Sequence, residues 1–188
     1  MDKVLGIARY IWQRKDGGLN QMGFFSLHKW LFLCYSFILV IEGKPFKEKF
    51  HAWANGPALP ALYKLHKGNF KSVTKGWFKG RKCAKISQRY KDIITQVILA
   101  YDKYYDDEWG WGKSQFFHYE RTYHLDSGYS IEPPWRKARE GLDIMDRGNR
   151  PIKDADIKIY YSQQLTGGDE DGTKDNESGR HSEEGSGK

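Results

Sequence analysis

Six histidines are the first side chains to test for chemistry: His28, His51, His66, His118, His124 and His181. No pair of them stands in a His-Glu-x-x-His arrangement, and Cys34 and Cys83 complete no zinc-ligand spacing with them. His118 and His124 are six residues apart, which would place them on different faces of a helix. Ser114 and His118 are four apart and would meet on a helix, but no third group orients them as a nucleophile and its base. The carboxylates Asp102, Asp106, Asp107 and Glu108 follow a helical pattern, at the end where the helix dipole disfavours negative charge. A solvated acidic loop is the plainer reading. No phosphate-binding loop, dinucleotide fingerprint or Gly-x-Ser-x-Gly elbow occurs. These residues favour a non-enzymatic protein with no cofactor and no metal.

The other chemistry on offer is binding. Between residues 71 and 89 lie Lys71, Lys75, Lys79, Arg81, Lys82, Lys85 and Arg89, interleaved with Phe70, Trp77 and Phe78. Cations beside aromatic rings suit single-stranded nucleic acid and equally suit an acidic protein surface. No reader motif for nucleic acid accompanies them. Phe70, Lys75, Trp77, Phe78 and Arg81 are therefore candidate partner-binding residues. The competing expectation is that Trp77 and Phe78 fold back onto the core.

Helices must position these groups. Val4, Leu5, Ala8, Ile11 and Trp12 recur at helical spacing, with Asp2 as a candidate cap and Gly17-Gly18 as a stop. Ser26 is a candidate cap for a second helix that runs to Gly43 and is apolar nearly all round from Trp30, so it should lie at the centre of the domain. Phe46, Phe50 and Trp53 should pin the connector after it. A third helix is expected from Pro57 to about His66, where the missing proline N–H costs nothing. Residues 68–85 read as a Gly-punctuated basic loop with a short strand or hairpin. Ser87 caps a helix carrying Ile93, Ile94, Val97, Ile98 and Tyr101. Further helices are expected over residues 111–124, after Pro133-Pro134, and at the end of the domain with Ile152, Ile157, Tyr160 and Tyr161. The fold class is mainly α: a compact single-domain helical bundle with at most a short β-hairpin or strands in the connectors.

The 188 residues carry a net charge of +7, unevenly distributed. Residues 166–188 hold 7 acidic and 3 basic side chains and no aliphatic or aromatic one, leaving a net +11 on residues 1–165. Such a tail has nothing to bury and is expected to be disordered. Two unpaired cysteines fit a reducing compartment. The start of the chain has no uninterrupted apolar run of the secretory kind, and residues 30–41 fall short of the ~20 needed to span a bilayer. A cytoplasmic protein without membrane attachment is the expectation.

Two stretches carry a resemblance. "FSLHKWLFLCYSFILVIEGKPFKEKFHAWANGPALPALYK" and "TYHLDSGYSIEPPWRKAR", the latter followed by "IKDADIKIYY", together resemble the Panacea domain, the SocA-like antitoxin family. The likeness covers most of residues 4 to 163, and Ala52, Trp53, Gly56 and Pro57 are its most specific part. It implies a helical antitoxin whose partner is a cognate protein toxin encoded beside it, in a bacterial or prophage setting. Members neutralise the toxin by direct binding, and one branch delivers it to a Clp-type protease. Under this resemblance Ala52, Trp53, Gly56, Pro57 and Tyr63 are structural: Trp53 plugs the core, Gly56 makes a tight turn and Pro57 opens a helix. His124 and Trp135 join the candidate partner-binding residues. The alternative function is a nucleic-acid-binding regulator, including one acting on its own operon. A third is an enzyme with a composite site at His118, Glu120 and His124.

Overall fold

The computed structural model describes residues 1–17, 19, 22–69, 72–102, 105–106, 113–114, 133–143, 146 and 148–166. The protein is mainly α, with seven helices among the described residues: α1 (Asp2–Asp16), α2 (Phe24–Ile41), α3 (Pro60–His66), α4 (Lys75–Phe78), α5 (Gln88–Tyr101), α6 (Pro133–Ala138) and α7 (Asp154–Thr166). Two small antiparallel hairpins interrupt them, β1 (His51–Trp53) with β2 (Gly56–Ala58), and β3 (Tyr105–Asp106) with β4 (Lys113–Ser114).

α2 is the axis of the fold. Its apolar circumference leaves no polar face to turn outward, so α1, α5 and α7 pack around it. By length and composition it could cross a bilayer, yet 83% of its 18 residues are buried within the domain. Ser36 is accommodated because its hydroxyl donates to the Phe32 carbonyl at 2.9 Å. α1 lays Val4, Leu5, Ile7, Ala8, Ile11 and Trp12 on this axis and ends at Gly17 in the left-handed conformation. α5 contributes Ile93, Ile94, Val97 and Ile98, and the Ser87 hydroxyl accepts from the Tyr90 N–H at its start. The Tyr35 hydroxyl donates to Asp154 at 2.9 Å, and Lys44 pairs with the other carboxylate oxygen at 2.6 Å, so the start of α7 is held to the far half of α2.

Several boundaries differ from expectation. α2 is capped by extended Gly23, and Ser26 lies buried inside its first turn. The cause is upstream: the Met22 carbonyl accepts from the Val73 N–H at 2.7 Å, fixing the chain direction just before the helix. The third helix begins at Pro60, and Pro57 instead faces Ala52 in the β1–β2 hairpin. Ala52 points its N–H to Arg150 and its carbonyl to Arg139, away from β2. Its pairing with Pro57 is therefore the non-hydrogen-bonded kind, where a proline loses nothing.

Trp53 is not the core plug. In β1 the alternation sends Ala52 inward and leaves His51 and Trp53 partly exposed, while Phe46 and Phe50 fill the space beneath as expected. The basic segment around Trp77 forms the one-turn helix α4 rather than a strand. The helix expected over residues 111–124 meets a strand at Lys113–Ser114; its other residues lie outside the described ones. Residues 167–188 also lie outside them.

Candidate functional site

The two stretches carrying the sequence resemblance meet in space. The Trp135 indole N–H donates to the Trp53 carbonyl at 2.9 Å. One turn on, Arg139 is buried and donates through Nη1 to the Ala52 carbonyl at 3.0 Å. Its Nη2 donates to the Asp143 and Asp146 carbonyls, each at 2.8 Å. A planar fork of donors with fixed spacing suits this job, bracing β1 against the turn after α6. Gly148 passes against this clasp with φ +58, and a side chain there would collide with the Arg139 Nη1 and the Ala52 carbonyl. Gly56 turns the hairpin at φ +99.

Beside the hairpin lies a histidine couple absent from the sequence-based site. His28 Nε2 and His66 Nε2 stand 3.0 Å apart, both rings buried. The Leu59 backbone N–H donates to His28 Nδ1 at 3.0 Å. That nitrogen is therefore unprotonated, so neutral His28 carries its proton on Nε2 and donates it to His66. His66 in turn holds its proton on Nδ1. Burial, joined by repulsion from His66 and Lys29, holds His28 well below the ordinary histidine value. Burial also lowers His66, against the backbone groups of His66 and Asn69. The His66 ring stacks on Phe24 at 4.2 Å, and Tyr63 meets it edge-on at 5.3 Å. Lys29, only 3% exposed, donates to the Asn55 carbonyl at the hairpin turn and lies 4.6 Å from the Phe25 ring. Among the described residues, no three His, Cys, Asp or Glu side chains converge as a metal site.

The basic aromatic segment sits at the same end. The Thr74 hydroxyl caps α4, accepting from the Trp77 N–H at 3.2 Å. Phe78 turns inward to 4% exposure and packs on Trp12 at 5.6 Å. Trp77 is half-buried: its edges meet Phe24 and Phe78, and Arg81 lies 4.8 Å from its ring centre while donating through Nε to its carbonyl. Lys75 is exposed. Among the candidate partner-binding residues, Lys75, Trp77 and Phe78 lie on α4 with Arg81 just after it, and Trp135 is buried against the hairpin. Phe70, Lys71 and His124 lie outside the described residues, as do His118 and Glu120.

No known protein family, characterised protein or solved structure matches this chain. The site is therefore defined by its geometry. A notch of about 290 Å³ opens beside α4, lined by Arg9, Trp12, Gln13, Gly17, Lys75 and Phe78. Arg9 and Gln13, four residues apart on the exposed side of α1, were legible as a polar face but not as neighbours of Lys75. His28 had one weak signal, its place one turn or less before the stretch from Trp30 that is apolar nearly all round. His66 and Arg139 had none, because His28 and Ala52, which give them their roles, are 38 and 87 residues distant.

Proposed function

We propose that this protein is an antitoxin that neutralises a cognate protein toxin by direct binding, without catalysis of its own. The observation that carries the reading is the Trp135 to Trp53 hydrogen bond. It joins the two sequence segments that resemble the Panacea domain into one structural unit, with Arg139 as a second tie. Two motifs that need each other to complete one small substructure support a shared fold better than either alone. A binding role is supported by the histidine couple, whose ring nitrogens are taken up by Leu59, by each other and by nearby backbone. That arrangement is spent on holding α2 to the start and the end of α3. The working surface is then the exposed, cationic end at α4, and hand-over of the bound toxin to a Clp-type protease is a further step on the same reading.

The test is co-expression with the product of the adjacent gene. The expected result is growth arrest by that product alone, rescue by this chain, and co-purification of the two. Arrest that persists at equal expression would overturn the reading. A second reading, nucleic-acid binding, is favoured by the cation density of residues 64–91. It predicts a steep loss of affinity for DNA with rising salt.

A further inference from the structure

We propose that the notch between α1 and α4 receives a carboxylate side chain from an acidic segment of the partner protein, held by Arg9 and Lys75. This deepens the antitoxin reading and rests on it. From Lys49 to Lys91 the sequence contains eleven Lys and Arg residues and not one Asp or Glu. Some of these charges are met from elsewhere: Lys82 pairs with Asp2 at 3.3 Å and Arg89 with Glu42 at 2.8 Å. Among the described residues, no carboxylate lies within ion-pair distance of Arg9 or Lys75. Two cations lining one concavity favour an anion there, and a guanidinium offers a carboxylate two parallel N–H donors.

The shape narrows the choice of anion. Trp12 and Phe78, each 4% exposed, give the notch an apolar lining, and Gln13 adds an amide. The volume of about 290 Å³ suits one or two side chains. A nucleic-acid strand would need flat rings open to stack its bases. The described rings here offer little for that: Phe78 is buried, and Trp77 is half-buried with Arg81 4.8 Å from its ring centre. An acidic peptide needs only the cations and the cleft.

The experiment uses the full chain and two probes, a ten-residue poly-glutamate peptide and a ten-nucleotide single-stranded DNA. The double variant Arg9→Gln with Lys75→Gln is compared with Lys64→Gln with Lys67→Gln, which removes the same charge from α3 and its end. The expected result is peptide affinity reduced at least about tenfold by the first pair and less than about twofold by the second, with both melting curves unchanged. Equal losses in the two variants would mean diffuse attraction and overturn the proposal. No peptide binding, or tighter binding of the DNA, would overturn it as well. Rescue from the adjacent gene product is scored separately. If the wild-type chain rescues and the Arg9/Lys75 variant does so equally, the notch is not the docking point. If the wild-type chain fails to rescue, the antitoxin reading falls while the peptide measurement still decides whether the notch binds carboxylates.

Discussion

His28 and His66 share a single proton-donating contact, Nε2 to Nε2 at 3.0 Å, and the Leu59 N–H fixes its direction by occupying His28 Nδ1. The couple joins the first half of α2 to the end of α3 across 38 residues. A second proton cannot enter without breaking a bond. Protonating His28 at Nδ1 displaces the Leu59 N–H, and protonating His66 at Nε2 removes the acceptor that His28 uses.

This sets a pH dependence. Both histidines sit below their ordinary value of 6.5 in the folded protein, chiefly through burial. The unfolded chain therefore binds protons first as pH falls. Stability contributed by the neutral couple is full above 6.5 and declines below it, through the lowered folded values. Urea unfolding at about pH 7.5 and about pH 5.5 should show the loss, and His28→Ala should flatten it. The same variant strands the buried Leu59 N–H and should cost about 1–3 kcal/mol even at the higher pH. A pH dependence unchanged in His28→Ala would assign the effect to other groups.

The Trp135 to Trp53 bond uses a side-chain donor and a backbone acceptor, so the two tryptophans should respond differently. Trp53→Ala keeps the carbonyl and removes a half-buried ring packed on Tyr63 at 4.9 Å. The expected cost is about 1–2 kcal/mol, below the ~3–5 of a fully buried aromatic truncation. Trp135→Phe removes the donor and part of a buried ring that also faces Arg139, and should cost about 1–3 kcal/mol. Denaturant midpoints measured at constant slope would check both.

Gly148→Ala tests the Arg139 clasp. The new methyl would enter the space held by Arg139 Nη1 and the Ala52 carbonyl, at a backbone angle of +58° that disfavours any side chain. Loss of about 1–3 kcal/mol is expected. Gly141→Ala is the control, since a Cβ there meets nothing within 4 Å and only the positive φ of 73° is strained. It should cost about 1 kcal/mol. Equal losses would show that crowding at Arg139 contributes nothing.

Phe78 and Trp77 should separate stability from binding. Phe78→Ser opens a cavity against Trp12 and should lower stability by about 3 kcal/mol or more. Trp77→Ser removes a half-buried ring and the seat of Arg81, with a smaller effect on melting. Calorimetry of the two single variants is the check, and a larger loss for Trp77→Ser would reverse their assigned roles.

Local chemistry determined a good part of this protein. The apolar circumference of residues 30–41 requires a central helix, the spacing of Ile93, Ile94, Val97 and Ile98 sets the inner face of α5, and Ser87 marks its start. Each depends on neighbours within a turn or two, which is the range over which sequence pattern and backbone geometry are coupled. What lay beyond that range was decided by tertiary structure. Ser26 reads as a cap in isolation, but pairing of Met22 with Val73 starts α2 earlier. Pro57 reads as a helix start, but the long-range bonds of Ala52 to Arg150 and Arg139 make it part of a hairpin and turn Trp53 outward. The same holds for the site. Cations at residues 71–89 are visible as composition, whereas the notch exists only because α1 brings Arg9 to the same concavity as Lys75. A charge is a property of a residue, but a cleft lined by charges from two segments is a property of both, and only packing brings them together.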